Sequence, residues 1–304
     1  WLAALVTLVV IWALFALCCS LFVPLVFNKI NQFSTVDFAS VVNSIGEPIA
    51  RVQRNLQNLF ALSESSFSLS DELTAMFRQV VDMESVNWLF SSVVGVVVSS
   101  VIALFSISFI TFFFLKDDGL FYSMVTAVFP ERYHDNITRA LDSVTVLLSR
   151  YFTGILSESL MLTVAVTLVM MAFGMKAADA AFIGLVMGVM NVVPYAGPLI
   201  GGIFSVFVGI ITPIEGMTVG HTAFVIAGSL LILKGLDDFV VQPTLYSERV
   251  KAHPLEVFLV ILIAGSLAGI LGMLLAIPSY TVIRVFAKEF FSQFTLVRKL
   301  TEKI

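Results

Sequence analysis

Residues 85–115 read SVNWLFSSVVGVVVSSVIALFSISFITFFFL, a run of 31 positions without a charged side chain. About 20 apolar residues suffice to carry a helix across the hydrocarbon core of a bilayer, and no face of this stretch could be solvated. Five further charge-free runs lie on either side of it: Trp1–Asn28, Ser159–Met175, Ala180–Ile214, Gly216–Leu233 (which contains His221) and Val257–Ile283. All are continuous apolar runs rather than short alternating segments, which predicts helices and not a barrel of strands. The expected fold class is an all-α integral membrane protein. Its architecture is a polytopic helical bundle with a broken or re-entrant helix pair and an extramembrane helical insert.

Composition agrees. The 304 residues are 59% hydrophobic and 12% charged, with a mean hydropathy of +1.00 and 28 phenylalanines. Ordinary soluble domains carry about 25% charged residues, so a cytosolic enzyme and a disordered chain are both excluded. With 17 basic against 21 acidic residues, no basic surplus attracts nucleic acid. Cys18 and Cys19 are adjacent, a spacing that rarely meets disulfide geometry. The chain opens at Trp1 inside an apolar run, which suggests that a further N-terminal piece precedes it.

The expected organisation is a membrane helix over 1–28, an amphipathic insert over 29–87 and a second membrane helix over 88–115. Cytoplasmic or interfacial helices follow over 116–154, then a membrane core over 155–286 broken near 191–198, and a cytoplasmic tail over 287–304. In the insert, Val42, Ile45, Ile49, Val52, Leu56 and Leu59 form a heptad-like seam, open to oligomer contact or to packing on the membrane domain. After Pro130, an apolar face of Tyr133, Ile137, Leu141, Val144, Leu148 and Phe152 predicts a helix lying in the interface. The tail from Arg284 onward has five basic residues against two acidic, which places it in the cytoplasm. The acidic insert is expected outside.

The informative positions are those a bilayer makes expensive. The stretch Asn191-Val-Val-Pro-Tyr-Ala-Gly-Pro198 interrupts a run too long for one span. Pro194 and Pro198 remove backbone donors, and Gly197 allows unusual dihedrals. Discontinuous helices of this kind form substrate or ion sites in secondary transporters; a tight turn between two short helices is the other reading, and the sequence leaves both open. The candidate substrate pathway is therefore Asn191, Pro194, Tyr195, Gly197 and Pro198, with Gln242 and Pro243 nearby. Asp237 and Asp238, just before Gln242-Pro243, are candidates for ion coupling, because two close carboxylates push one pKa upward; a place at the water interface, capping the next turn, is the other reading. Glu158, at the start of a span, is a further candidate for proton coupling. Glycines four residues apart, at Gly184/Gly188, Gly197/Gly201 and Gly265/Gly269, predict close helix packing. No phosphate-binding loop, metal-ligand cluster or nucleophile motif is present in the sequence, so neither an enzyme nor a cofactor is expected.

Several motifs in order resemble one family over nearly the whole chain: the autoinducer-2 exporter family of bacterial membrane permeases. They are Phe114-Leu-Lys-Asp117, Phe129-Pro-Glu-Arg132, Asn191 to Pro198, Gln242-Pro243, His253-Pro-Leu255, Gly269-Ile-Leu-Gly272 and Ala276-Ile-Pro278. The sequence departs from the pattern at Ile155, where many members carry a polar residue after the glycine. It departs again near Tyr246-Ser247, where a glycine is common. The resemblance implies a multi-pass permease of the bacterial inner membrane, with the lipid bilayer and a small solute as partners. Autoinducer-2 is the eponymous cargo, and some members look like cation/proton antiporters. The expectation is a homo-oligomeric secondary exporter driven by an ion gradient; a sodium/proton antiporter and an oligomeric passive channel or scaffold are the alternatives.

Overall fold

The computed structural model describes residues 2–34, 83–117, 119–242 and 254–291. The heptad-like seam of the insert, Pro243, His253 and the tail beyond 291 lie outside them. The described residues form helices and turns only. In chain order the helices are α1 (Leu2–Ser34), α2 (Met83–Lys116), α3 (Leu120–Thr126), α4 (His134–Ala172), α5 (Ala177–Met190), α6 (Ala196–Ile211), α7 (Val219–Leu236) and α8 (Pro254–Phe291). Four stretches are long and apolar enough to cross a membrane: Leu2–Lys29, Val97–Lys116, Glu131–Ala172 and Leu255–Phe290. Large apolar side chains such as Leu14, Leu21, Ile102, Phe105, Leu160 and Leu168 point outward from them, as lipid-facing residues do. This is an all-α, multi-pass membrane protein.

The chain divides into two compact units. One gathers Trp1–Phe112, Val169–Phe182 and Phe204–Gly228. Within it the Trp12 indole N–H donates to Ser108 Oγ at 3.1 Å, joining α1 to α2. Lys29, 4% exposed near the end of α1, forms an ion pair with Asp179 in the first turn of α5. Buried Val208, Ile211, Ile214 and Ile226 form an apolar core, and Thr222 Oγ1 accepts the Ile214 N–H at 3.1 Å.

The second unit gathers Phe113–Leu168, Ile183–Ile203 and Ser229–Ile304. The interfacial helix expected after Pro130 and the span expected at 159–175 are one continuous helix, the 39-residue α4. At 1.5 Å per residue it is about 58 Å long, roughly twice the hydrocarbon thickness. Its first half can therefore carry exposed Asp135, Arg139 and Asp142 while Ile137, Ala140 and Leu141 are buried on the opposite face. Gly184 and Gly188 let α5 press on α4. A Cβ at Gly184 would lie 2.5 Å from the Thr163 carbonyl oxygen, and one at Gly188 would lie 2.6 Å from that of Ser159.

Two sharp reversals of the chain lie in this unit. The break near 191–198 is a tight turn between α5 and α6, of 14 and 16 residues. Tyr195 sits there in the left-handed region at φ 62°, a conformation that costs a non-glycine residue about 1–3 kcal/mol. A Cβ at Gly197 would be 2.6 Å from the Met190 carbonyl carbon, so glycine is required where the arms meet.

The second break corrects the expectation of one straight span over 257–283. Within α8, Ala268 (φ −137°, ψ 20°) and Gly269 (φ 59°, ψ −140°) leave helical geometry, and the chain doubles back. The Tyr280 hydroxyl donates to Glu256 Oε2 at 2.9 Å. In a straight helix those residues would stand about 36 Å apart. Gly269 therefore does not pack as the partner of Gly265; its φ puts it at the turn, with nothing near its Cβ position. Hydropathy cannot register such a reversal, because both arms are equally apolar.

The hairpin predicts a specific cross-link. A Cβ on Gly265 would lie 3.0 Å from Met273 Cγ, where a cysteine sulfur would sit. In a Cys18/Cys19→Ser background, Gly265→Cys with Met273→Cys should form an intramolecular disulfide on mild oxidation, read by thiol labelling and mass spectrometry. Two free thiols would contradict the reversal, since eight residues of continuous helix rise about 12 Å.

Candidate functional site

A polar cavity lies wholly within the second unit. Its volume is about 660 Å³, and it is lined by side chains from α4, the α5–α6 turn, the end of α7 and α8. The Asn191–Pro198 turn contributes Asn191, Pro194, Tyr195 and Pro198 to one wall. Its backbone is largely self-satisfied: Asn191 N–H bonds to Met187 O at 2.9 Å, Gly197 N–H to Val193 O at 3.0 Å and Ala196 N–H to Pro194 O at 2.7 Å. The turn therefore offers side chains to the cavity more than bare peptide groups. Gly197 stays out of the lining and serves the contact with Met190 instead.

At the opposite end of the chain of contacts, α7 widens into a π-helical turn over Asp237–Val241, closed by the Gln242 N–H on the Asp237 carbonyl. Such turns are rare and occur often at functional sites. Lys234, three and four residues before the two aspartates, is the hub. Its Nζ lies 2.5 Å from Asp237 Oδ2, 2.9 Å from Asp238 Oδ1, 3.2 Å from Asn191 Oδ1 and 4.0 Å from Glu158 Oε1.

Two amides complete the network. Asn191 Nδ2 donates to Glu158 Oε1 at 3.1 Å. Gln242 Nε2 donates to the same oxygen at 3.2 Å and to Asp238 Oδ1 at 3.0 Å. Glu158 and Asp237 are each 4% exposed, whereas the Asp238 side chain is 48% exposed. A carboxylate removed from water needs both opposite charge and hydrogen-bond donors, and Glu158 has Lys234 nearby and two amide N–H groups. Among the described residues no cluster of histidine, cysteine and carboxylate side chains could hold a metal ion.

Of the residues singled out in the sequence, Glu158, Asn191, Pro194, Tyr195, Pro198, Asp238 and Gln242 all line this cavity. Asp237 is absent from the lining but is bound to Lys234. Pro243 lies outside the described residues. Sequence reasoning missed Lys234 and the lining residue Tyr151; Ile155, noted as a departure from the family pattern, also lines the cavity. The signal for Lys234 was available: a lysine at i−3 and i−4 from paired acids, at the end of an otherwise charge-free helix.

Known sequences place this chain. The description "AI-2E family transporter" matches residues 1–292. The chain belongs to the AI-2E transporter family. It is 29% identical over 269 residues to "Putative transport protein YueF" of Bacillus subtilis, a match covering 85% of this chain and 70% of that protein. It is 29% identical over 185 residues to "Putative transport protein YrrI" of the same organism, covering 61% of this chain and 50% of that one. Against "Putative transport protein MT0215" of Mycobacterium tuberculosis it is 27% identical over 200 residues, covering 62% and 48%. The chain thus spans about half the length of the last two relatives.

The burial difference within the acid pair carries a prediction. Asp237→Ala removes a buried partner of Lys234, which keeps Asp238 and Asn191, and should cost about 1.5–3 kcal/mol. Asp238→Ala, half in solvent, should cost about 1 kcal/mol or less. Denaturant or thermal unfolding in detergent measures both, and equal losses would contradict the assigned burial.

Proposed function

We propose that the chain is a secondary transporter of the bacterial inner membrane that exports a small solute down a pathway through the Lys234 cavity, driven by an ion gradient. The observation that carries this reading is the cavity itself: a space of about 660 Å³ with a connected polar network, in a protein whose outward surface is apolar. That volume falls in the range of small-molecule sites, and intramembrane ionisable groups mark solute or proton pathways. Asn191, Pro194, Tyr195 and Pro198 form the wall from the turn, Gln242 bridges two carboxylates, and Pro243 follows it in sequence. Glu158, Asp237 and Asp238 are the coupling groups. The family's name suggests autoinducer-2 as cargo, and the lack of a phosphate-binding loop in the sequence favours gradient coupling over ATP hydrolysis. A homo-oligomeric assembly is part of the proposal.

A second reading, the cation/proton antiporter, is favoured by the three carboxylates gathered at one lysine. Reconstituted proteoliposomes separate the two: an exporter moves solute with no dependence on sodium, whereas an antiporter shows sodium-driven proton flux.

Neutralising the acids tests the proposed role directly. Asp237→Asn with Asp238→Asn should reduce solute flux in vesicles at least tenfold while the protein still accumulates and folds, judged by yield and monodispersity. Unchanged flux removes both residues from the mechanism.

A further inference from the structure

An ammonium group has three N–H donors, and those of Lys234 meet three oxygens. Asp237 Oδ2, Asp238 Oδ1 and Asn191 Oδ1 stand at 2.5, 2.9 and 3.2 Å, with Glu158 Oε1 at 4.0 Å. Carboxylate and amide oxygens converging on one point are also the ligands that hard metal cations prefer. Here that point is taken by a cation of the chain itself. Asn191 and Gln242 turn amide N–H groups toward Glu158 Oε1, and Gln242 also toward Asp238 Oδ1, so these two oxygens carry donors besides the ammonium. Three carboxyl groups gather around this one lysine, beside a cavity large enough for hydrated ions.

We propose that Lys234 is the specificity-determining residue of this pathway: its ammonium is a tethered cation that fills the oxygen shell and keeps alkali-metal ions out. This rests on the reading of the cavity as a solute pathway. Without the ammonium, the converging oxygens would offer a hard cation such as sodium a place to bind. A covalently attached ammonium is present at high effective concentration, is held by α7, and cannot leave with the cargo. A lysine serving only as a structural ion-pair partner would show no preference among the cations that replace it.

The test compares sodium chloride with choline chloride at equal ionic strength, using thermal unfolding of the full chain purified in detergent. The wild type should melt at the same temperature in both salts. Lys234→Met should melt lower in choline and recover in sodium, half-saturating at a concentration at least tenfold below any sodium effect on the wild type. Lys234→Arg keeps a cation and should remain indifferent to the salt. Lys234→Met with Asp237→Asn restores the formal charge of the wild-type cluster and should show the same sodium-specific recovery where the single variant is too unstable to purify.

Sodium-specific stabilisation of the wild type overturns the proposal. So does equal melting of the lysine-free variants in the two salts, or the failure of both to fold even when prepared in sodium. These are binding readouts. A protein that passes them yet moves no solute fails the transport reading alone.

Discussion

Lys234 sets a constraint that reaches through the whole second unit. Its ammonium lies at the end of an apolar helix, where a lone charge would be costly to desolvate. Three carboxylates from two helices approach it, and each of those in turn needs donors or a counter-charge. Asp237 and Asp238 stand three and four residues after Lys234, on the same helical face, and the π-helical turn that follows ends at Gln242, which reaches Glu158 and Asp238. Asn191 reaches the cluster because α5 ends there, at a turn that then sends the chain back along α6. Remove the ammonium and the local arrangement of α4, α7 and the α5–α6 turn loses the charge that holds its carboxylates together.

The two reversals of the chain express a second constraint, imposed by the solvent. In hydrocarbon every backbone polar group must find a partner in the protein. The α5–α6 turn meets this with its own hydrogen bonds, at the cost of placing Tyr195 in a left-handed conformation. The α8 reversal uses Gly269, for which such a φ is inexpensive. Arms of 14 and 16 residues extend about 21 and 24 Å, less than the roughly 30 Å hydrocarbon thickness. Neither arm of the α5–α6 pair is long enough to span that thickness alone.

The membrane class and the helical fold were legible because hydropathy is a sum over many residues, and runs such as 85–115 admit one physical solution. The break at Asn191–Pro198 was legible for the same reason that it exists: proline removes donors in a place where donors are scarce. The α8 reversal was hidden, since Ala268-Gly269 sits among residues as apolar as those of any straight span. Gly265/Gly269 spacing also mimics a packing motif. Asp237, Asp238 and Glu158 stood out as rare charges, but which of them meet could not be read from spacing. Lys234 went unnoticed because it closes a charge-free run and so resembles an interfacial helix end. Only the side-chain geometry shows it turned inward onto four oxygens.

The central claim is that the Lys234 network lies where a solute crosses the membrane. A cryo-electron microscopy map of the protein in lipid nanodiscs tests it most directly, because the lipid density fixes the depth of every residue. The account predicts Lys234, Glu158 and the Asn191–Tyr195 turn within the hydrocarbon layer, around a cavity that opens to water on one side. A network lying in the headgroup layer, with lipid tails filling the cavity, would contradict it.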